Sequence, residues 1–440
     1  MKTLQQFMIV LVLCMQTICI GQERNFTTIS EKINPLLKEQ HKGISILVKK
    51  EDQIYTASLG DFNLTEKTVF NIASATKTFT AVLILQEFEK RNLLLTDRVD
   101  KFLTPIQNVP QSLTIENLLT HQSGLDEIAG NNMKDIFYAQ NDSLYNTPLL
   151  QQVGVYDTEK FGKFDYCNTN YFLLGSILEK VTDRSFFDLV NERIIKPLQL
   201  KNTHPYLHKN IPNLARPFYK GEDVTAYLDY RYFSNIVYAA GSIASTLLDM
   251  EKFYTSLFET EILLKKETVK MMMESGNDIY GLGLFKSNYD EHNYYGHGGN
   301  NIGYAFRNGY DPITKSMYLM FTNSERIPAE KLVTNSVLDF LHDKKTESFH
   351  NADISTFKNY IGTYVLGEAN LTLKIIQEAN KLYLVVESQG IKSVLMQKNE
   401  NTLFDTTVGV HLSIIEGNNN RLTFTQNGFE TTIDRIANKG

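Results

Sequence analysis

Phe70-Asn71-Ile72-Ala73-Ser74-Ala75-Thr76-Lys77 is the stretch on which the reading of this chain turns. Ser74 stands three residues ahead of Lys77, and a largely apolar run from Phe79 to Leu95 follows. Residues three apart on a helix share a face, so the lysine amine reaches the serine hydroxyl. A free serine is a poor nucleophile until a neighbouring base activates it. A lysine held in a dry pocket has its pKa lowered and can be that base. If Ser74 opens the helix, its own N–H is one of the unpaired donors there and is available to an oxyanion. The tetrapeptide alone specifies little. Ser355-Thr356-Phe357-Lys358 has the same spacing, and a solvated first helical turn satisfies the pattern.

Two signals downstream give Ser74 the partners that Ser355 lacks. Tyr166-Cys167-Asn168 directly precedes a predicted helix, and none of the other tyrosines has Asn two residues on. A phenol is a weak base unless nearby cations favour the phenolate, which a cluster with Lys77 supplies. The Asn168 amide can donate to a substrate carbonyl; alone, it reads as a helix cap. The other signal is Tyr295-Gly296-His297-Gly298-Gly299-Asn300-Asn301-Ile302-Gly303. Glycines at Gly298 and Gly299 let another segment approach the backbone closely. An edge strand of this kind docks a substrate by main-chain hydrogen bonds and offers an oxyanion N–H. His41-Lys42-Gly43 matches the same short pattern by chance, so this motif is also weak by itself.

The order S-x-x-K, Y-x-N, H-x-G over roughly residues 30–345 resembles the class C β-lactamase and D-Ala-D-Ala peptidase family of serine hydrolases. Leu118-Leu119-Thr120-His121-Gln122-Ser123-Gly124-Leu125 and Ala240-Gly241-Ser242-Ile243-Ala244-Ser245-Thr246 agree with it. The resemblance implies an α+β fold, an antiparallel sheet flanked by helices with an all-helical lobe. It makes Ser74 the acylated nucleophile, Lys77 its proton partner and Tyr166 the base for acylation and for the deacylating water. Asn168 orients the acyl chain, and His297, Gly298, Gly299 and Asn300 bind substrate. The N–H groups of Ser74 and Asn300 form the oxyanion hole, each worth ~3 kcal/mol in the transition state. His121 reads as structural. Dedicated class C β-lactamases have Lys-Thr-Gly where this chain has His297-Gly298-Gly299, and a histidine of pKa ~6.5 is mostly neutral at pH 7. The expectation is therefore a peptidase, amidase or esterase acting through an acyl-enzyme, such as a D-alanyl-D-alanine carboxypeptidase-type enzyme. The alternatives are a weak β-lactamase and a penicillin- or peptide-binding protein without turnover.

Composition bounds the rest. The 440 residues are 42% hydrophobic and 21% charged, enough for large cores and too long for one ordinary domain. The net charge of −6 without a basic stripe argues against nucleic acid as a partner and leaves a small-molecule or peptide substrate. Met1-Lys2, an apolar segment from Phe7 to Ile20 and Gly21-Gln22-Glu23 fit a secretory signal peptide over residues 1–21, too short for a membrane span. The protein is then expected to be secreted or periplasmic, with no stable span after cleavage. Cys14 and Cys19 leave with the signal, and Cys167 reads as a small packed residue. No Walker loop, G-x-S-x-G elbow or H-E-x-x-H appears, so no cofactor or metal is expected; His204 and His208 read as solvated loop residues.

Along the chain, Ile44–Val48 and Ile54–Gly60 read as two strands around a polar turn. Thr114 caps a helix that Gly124 should stop, and residues 125–165 look irregular. Helices are expected from Thr169, over Asp183–Leu198 and over Thr246–Leu257. Strands follow at Tyr280–Phe285, Gly303–Phe306 and Met317–Phe321, suggesting one mixed sheet closed by distant segments plus a helical insert. The hydrolase domain is expected over 22–345. Short alternating runs such as Leu371–Ile375, Lys381–Val385 and Arg421–Thr425 predict a barrel of about eight strands over 351–440, resembling the lipocalin-like domains of some family members.

Overall fold

The computed structural model describes residues 42–60, 62–128, 133–140, 149–345, 349–367 and 371–436, with a few positions between 26 and 37. The expected signal peptide over 1–21 lies outside the described residues. The chain forms two compact units, Leu37–Ile327, and Met1–Leu36 together with Pro328–Gly440.

In Leu37–Ile327, β1 (Gly43–Lys50) and β2 (Gln53–Gly60) form a hairpin. β1 is buried on nearly every residue because β9 (Ser316–Thr322) pairs on its other side, with Ile46 opposite Met320. β9 continues to β8 (Tyr304–Asp311), and the sheet ends in the hairpin of β5 (Phe285–Tyr289) and β6 (His292–Gly296). β7 (Gly299–Asn301) pairs with the first part of β8 while Tyr310, near its end, pairs with Tyr295 of β6. All of these pairings are antiparallel, so the sheet is not mixed. Two-residue strands β3 (Phe70–Asn71) and β4 (Ala244–Ser245) pair separately.

Helix α1 (Thr76–Glu89) is the centre of this unit. Every side chain from Thr76 to Leu85 is fully buried, the signature of a helix packed on all sides rather than on one stripe. Phe79 stacks on Phe253 with ring centroids 3.8 Å apart. Around α1 lie α2 (Ile115–Leu119), α3 (Met133–Ala139), α4 (Asn168–Thr182), α5 (Leu247–Glu259) and α6 (Lys266–Glu274). Thr114 caps α2 as expected, in a capping box with Asn117, and Thr246 caps α5 by accepting the Asp249 N–H.

Three expectations need correction. α2 ends at Leu119, because the chain enters the left-handed region at His121, φ +55°, before it reaches Gly124. Within 125–165, α3 buries Ile136 and Phe137, although residues 129–132 and 141–148 lie outside the described ones. Tyr280–Phe285 is a strand only from Phe285. Gly283, φ +77°, presses on α1, where an added Cβ would meet the Ala81 Cβ at 2.5 Å, and its carbonyl accepts the Thr78 hydroxyl. The segment 186–198 is helical as read, with a π turn over Asn191–Ile195.

In the other unit, α7 (Glu330–Leu341) packs Phe340 on Phe26, and the Leu332 N–H donates to Thr406 O. The described strands β10 (Gly362–Leu366), β11 (Leu371–Glu378), β12 (Lys381–Val386), β13 (Ile391–Asn399), β14 (Thr402–Asp405), β15 (His411–Ile415), β16 (Asn418–Gln426) and β17 (Phe429–Arg435) form a closed eight-stranded antiparallel barrel. Closure comes from β10 pairing β17 and β13 pairing β14. Tyr364, Leu373, Ile375, Leu384, Leu422 and Phe424 belong to its own buried core.

Candidate active site

The turn that carries Ser74 is held under strain. Asn71 at the end of β3 donates from Nδ2 to the carbonyls of Gly241, Ser242 and Ile243 at 3.0, 3.3 and 2.8 Å, and accepts at Oδ1 from Asn301 Nδ2 at 3.1 Å. The Ile72 N–H donates to Ile243 O. Against this anchor Ala73 takes φ +48°, a region a residue with a side chain enters only when its surroundings fix it. Ser74 then lies in a one-turn 3₁₀ helix, Ala73–Ala75, that runs directly into α1.

Lys77, one turn later and fully buried, has three partners. Its Nζ lies 3.2 Å from Ser74 Oγ, 2.7 Å from Asn168 Oδ1 and 2.9 Å from Ala240 O. The Ala240 carbonyl arrives there because the π turn Tyr232–Val237 leads into Tyr238 at φ +34°; the Ala239 carbonyl next to it accepts the Thr80 hydroxyl. Burial lowers the Lys77 pKa to about 7, opposed chiefly by the carboxylate of Glu127.

Asn168 opens α4 and is fixed by Glu127, whose Oε1 accepts both the Asn168 N–H and its Nδ2 at 3.1 and 3.0 Å. The two bonds orient the amide so that Oδ1 faces Lys77. Burial raises the Glu127 pKa, and the Asn168 bonds and Lys77 oppose that shift. Tyr166 lies with its ring centroid 5.0 Å from Lys77 Nζ. Burial pushes its phenol well above the usual tyrosine range, against a hydrogen bond with the Ser74 side chain. Cys167 is buried, and burial raises its thiol to about 12. Four sequence-predicted residues, Ser74, Lys77, Tyr166 and Asn168, therefore meet in one cluster. Glu127 was missed; the only signal for it is an acidic pair just after Ser123-Gly124-Leu125.

His297 and Gly298 fall between β6 and β7 rather than on a strand. His297 is buried, its Nδ1–H donates to Gly298 O at 2.6 Å, and its ring lies 6.0 Å from that of Tyr166. Burial, and then the charge of Lys77, lower its pKa to about 3, so it is neutral more completely than an ordinary histidine. Gly299 faces the nucleophile turn: a Cβ there would crowd Ser74 N and stand 2.8 Å from Ala73 Cβ. Asn300 follows, and Arg307 donates to its Oδ1 at 2.6 Å. The requirement for glycine is a close approach of two backbones.

Ser74, Asn168 and Asn300 line two openings at once. One, about 370 Å³, is walled by Phe172, Tyr219, Tyr232, Val237 and Ile302. The other, about 610 Å³, contains Tyr166, Phe285, Lys286, His297 and Arg307. The decoy serine has no such setting. Ser355 Oγ donates to both carboxylate oxygens of Asp353 on an exposed turn.

The sequence profile of the Beta-lactamase family matches residues 24–339. The chain is similar to the putative penicillin-binding protein PbpX of Bacillus subtilis (strain 168), 27% identical over 282 residues, 63% of this chain and 68% of that one. It is 28% identical over 217 residues to the teichoic acid D-alanine hydrolase of Staphylococcus aureus, 49% of this chain and 52% of the relative. Among solved structures, the octameric penicillin-binding protein homologue from Pyrococcus abyssi shares the fold with a TM-score of 0.60 at 21% identity, over 94% of this chain and 100% of that one.

Proposed function

The chain belongs to the Beta-lactamase family of serine hydrolases, and we propose that it cleaves amide or ester bonds of D-alanyl and related D-amino-acid substrates through an acyl-enzyme on Ser74. One observation carries the mechanism: the set of partners around Lys77 Nζ. Asn168 Oδ1 and Ala240 O can only accept. A neutral amine has two N–H groups, and both are engaged there. Its lone pair then faces Ser74 Oγ, and a pKa near 7 populates this form at neutral pH.

In acylation, the Ser74 proton passes to Lys77 as Oγ bonds to the substrate carbonyl carbon. We assign the resulting oxyanion to the N–H groups of Ser74 and Asn300; Gly299, next to Asn300 in β7, packs against the backbone of Ser74. As the bond to the leaving amine or alcohol breaks, that group takes a proton from the Tyr166 phenol, and the Lys77 ammonium returns its proton to Tyr166. Deacylation runs in reverse: Tyr166 yields its proton to Ser74 Oγ through Lys77 while the attacking water supplies the replacement. This reading departs from the sequence expectation that Tyr166 is the base, because burial keeps its phenol protonated. Because Tyr166 serves the leaving group, the larger opening takes that group and the aromatic one takes the acyl part.

The D-alanyl substrate class follows the activity for which the staphylococcal relative is named. His297, neutral where class C β-lactamases have lysine, brings no charge of its own to a β-lactam carboxylate, while Lys286 and Arg307 line the same opening. The test is turnover of D-alanyl esters and anilides against their L-enantiomers, together with fluorophosphonate labelling. The reading predicts D-selective turnover and an adduct lost in Ser74→Ala. An adduct that persists in Ser74→Ala, or equal turnover of L-substrates, overturns it.

A further inference from the structure

We propose that His121 is the positioning residue of Tyr166, holding the phenol on Ser74 by a three-point clamp; the inference rests on the role given to Tyr166 above. The residues on either side of Tyr166 both hang from His121. The Asp165 N–H donates to its carbonyl at 2.9 Å, and the Cys167 N–H donates to its Nδ1 at 3.1 Å. The third point is the ring, which lies on the Tyr166 ring with centroids 4.3 Å apart and planes 32° apart. A tyrosine fixed at the backbone before it, the backbone after it and its own ring face has little freedom left in either φ/ψ or χ1.

His121 is itself immobile. It is fully buried, and its Nδ1 also accepts from Asn170 Nδ2 at 3.0 Å, while Asn170 Oδ1 accepts the Ser123 hydroxyl at 2.6 Å. Its φ of +55° is a conformation in which histidine and asparagine are enriched among residues with a side chain. The two N–H donors on Nδ1 place the ring proton on Nε2 and leave the imidazole uncharged. Burial first, then Lys77 when it carries its proton, oppose any second proton. A neutral ring beside Tyr166 leaves the phenol protonated, the form that serves a leaving group; a cation at that spot would draw out the phenolate.

Two substitutions separate the clamp from bulk packing. His121→Phe keeps an aromatic face but removes the acceptor for Cys167 N–H. His121→Asn keeps an acceptor at the Nδ1 position and tolerates the positive φ. Turnover is measured per active site, counted by fluorophosphonate burst, so that misfolded protein drops out. The clamp predicts that kcat per titrated site falls about 10- to 100-fold in His121→Phe with KM within about twofold, and that His121→Asn, which restores the acceptor for the Cys167 N–H without the ring face, recovers part of that loss. A His121→Phe enzyme with wild-type kcat per site overturns the proposal, whatever its melting temperature. So does a His121→Asn enzyme as impaired as His121→Phe. Tyr166→Phe, run alongside, tells the two readings apart. If it is fully active, the role of Tyr166 fails; if it is impaired while His121→Phe is not, only the clamp fails.

Discussion

In the proposed mechanism the protonation of Lys77 sets the rate. With its folded pKa near 7, kcat/KM for a neutral ester should rise about tenfold per pH unit below that value and level off above it. Lys77→Arg should lose at least ~10³ in kcat/KM, because a guanidinium stays charged and offers no lone pair. A flat profile from pH 5.5 to 8.5, or an arginine variant within tenfold of wild type, would remove Lys77 from the base role. The same shift has a stability consequence. The folded pKa lies below the unfolded value of 10.5, so between about 7 and 10.5 the unfolded chain holds the proton that the folded chain has released. Stability from this group therefore rises with pH across that window, and its full penalty applies below it. His297 acts with the same sign lower down: stability falls as pH drops from 6.5 toward about 3. Urea melts of wild type and His297→Gln at pH 4 and 7 would show it as a smaller acid loss in the variant. The charge state of His297 at pH 7 was legible in the sequence, but the size of its shift was not, since the shift is made by burial against Phe285 and Tyr280 from other elements.

Elements bring the site together by close contacts that spacing alone announces unevenly. The meeting of Ser74 with Lys77 was legible, because it needs only one helical turn, and the start of α4 at Asn168 placed the amide near a helix end. Glu127 was not, because it lies in a loop whose course depends on Asn168 rather than on any periodicity. Tyr280–Leu284 misled for a related reason. Its residues suggest a strand, while the segment is packed on α1 through Gly283. Glycine at Gly299 is the most exacting of these contacts. Gly299→Ala would force β7 away from the Ser74 turn, so kcat should fall about 10²-fold, the scale of losing one oxyanion donor, and the crowded contact should cost about 1–3 kcal/mol of stability as well. A variant with unchanged kcat would show that β7 does not form the oxyanion site. Stability rests on a different contact, Glu87 at the end of α1, which accepts from Lys90, Asn92 and Arg193 while only 1% exposed. Glu87→Ala leaves Arg193 without its partner and should cost about 2–4 kcal/mol in a denaturant melt, less than a fully buried pair because Arg193 is a quarter exposed. A loss under about 0.5 kcal/mol would mark the cluster as solvated.

Among the described residues, one hydrophobic core surrounds α1 and the main sheet and another fills the barrel. Alternation with turn residues made the barrel legible, and its strand number came out as expected, because β-strands of a small barrel each present one face inward. What it does was not legible, since its inward positions are apolar side chains that fill space. Separate cores imply that unfolding is not a single transition, and the prediction belongs to this scale. Leu384 is fully buried in the barrel, so Leu384→Ala should destabilise that unit by about 2–5 kcal/mol through the cavity it leaves. Calorimetry should show one component of the melt moving to lower temperature and the other unmoved. Fluorophosphonate labelling of Ser74, followed at a temperature between the two components, should keep its wild-type rate, because no residue of the Ser74 cluster belongs to the barrel core. A single component that shifts as a whole, with labelling lost in parallel, would show that the two cores fold as one.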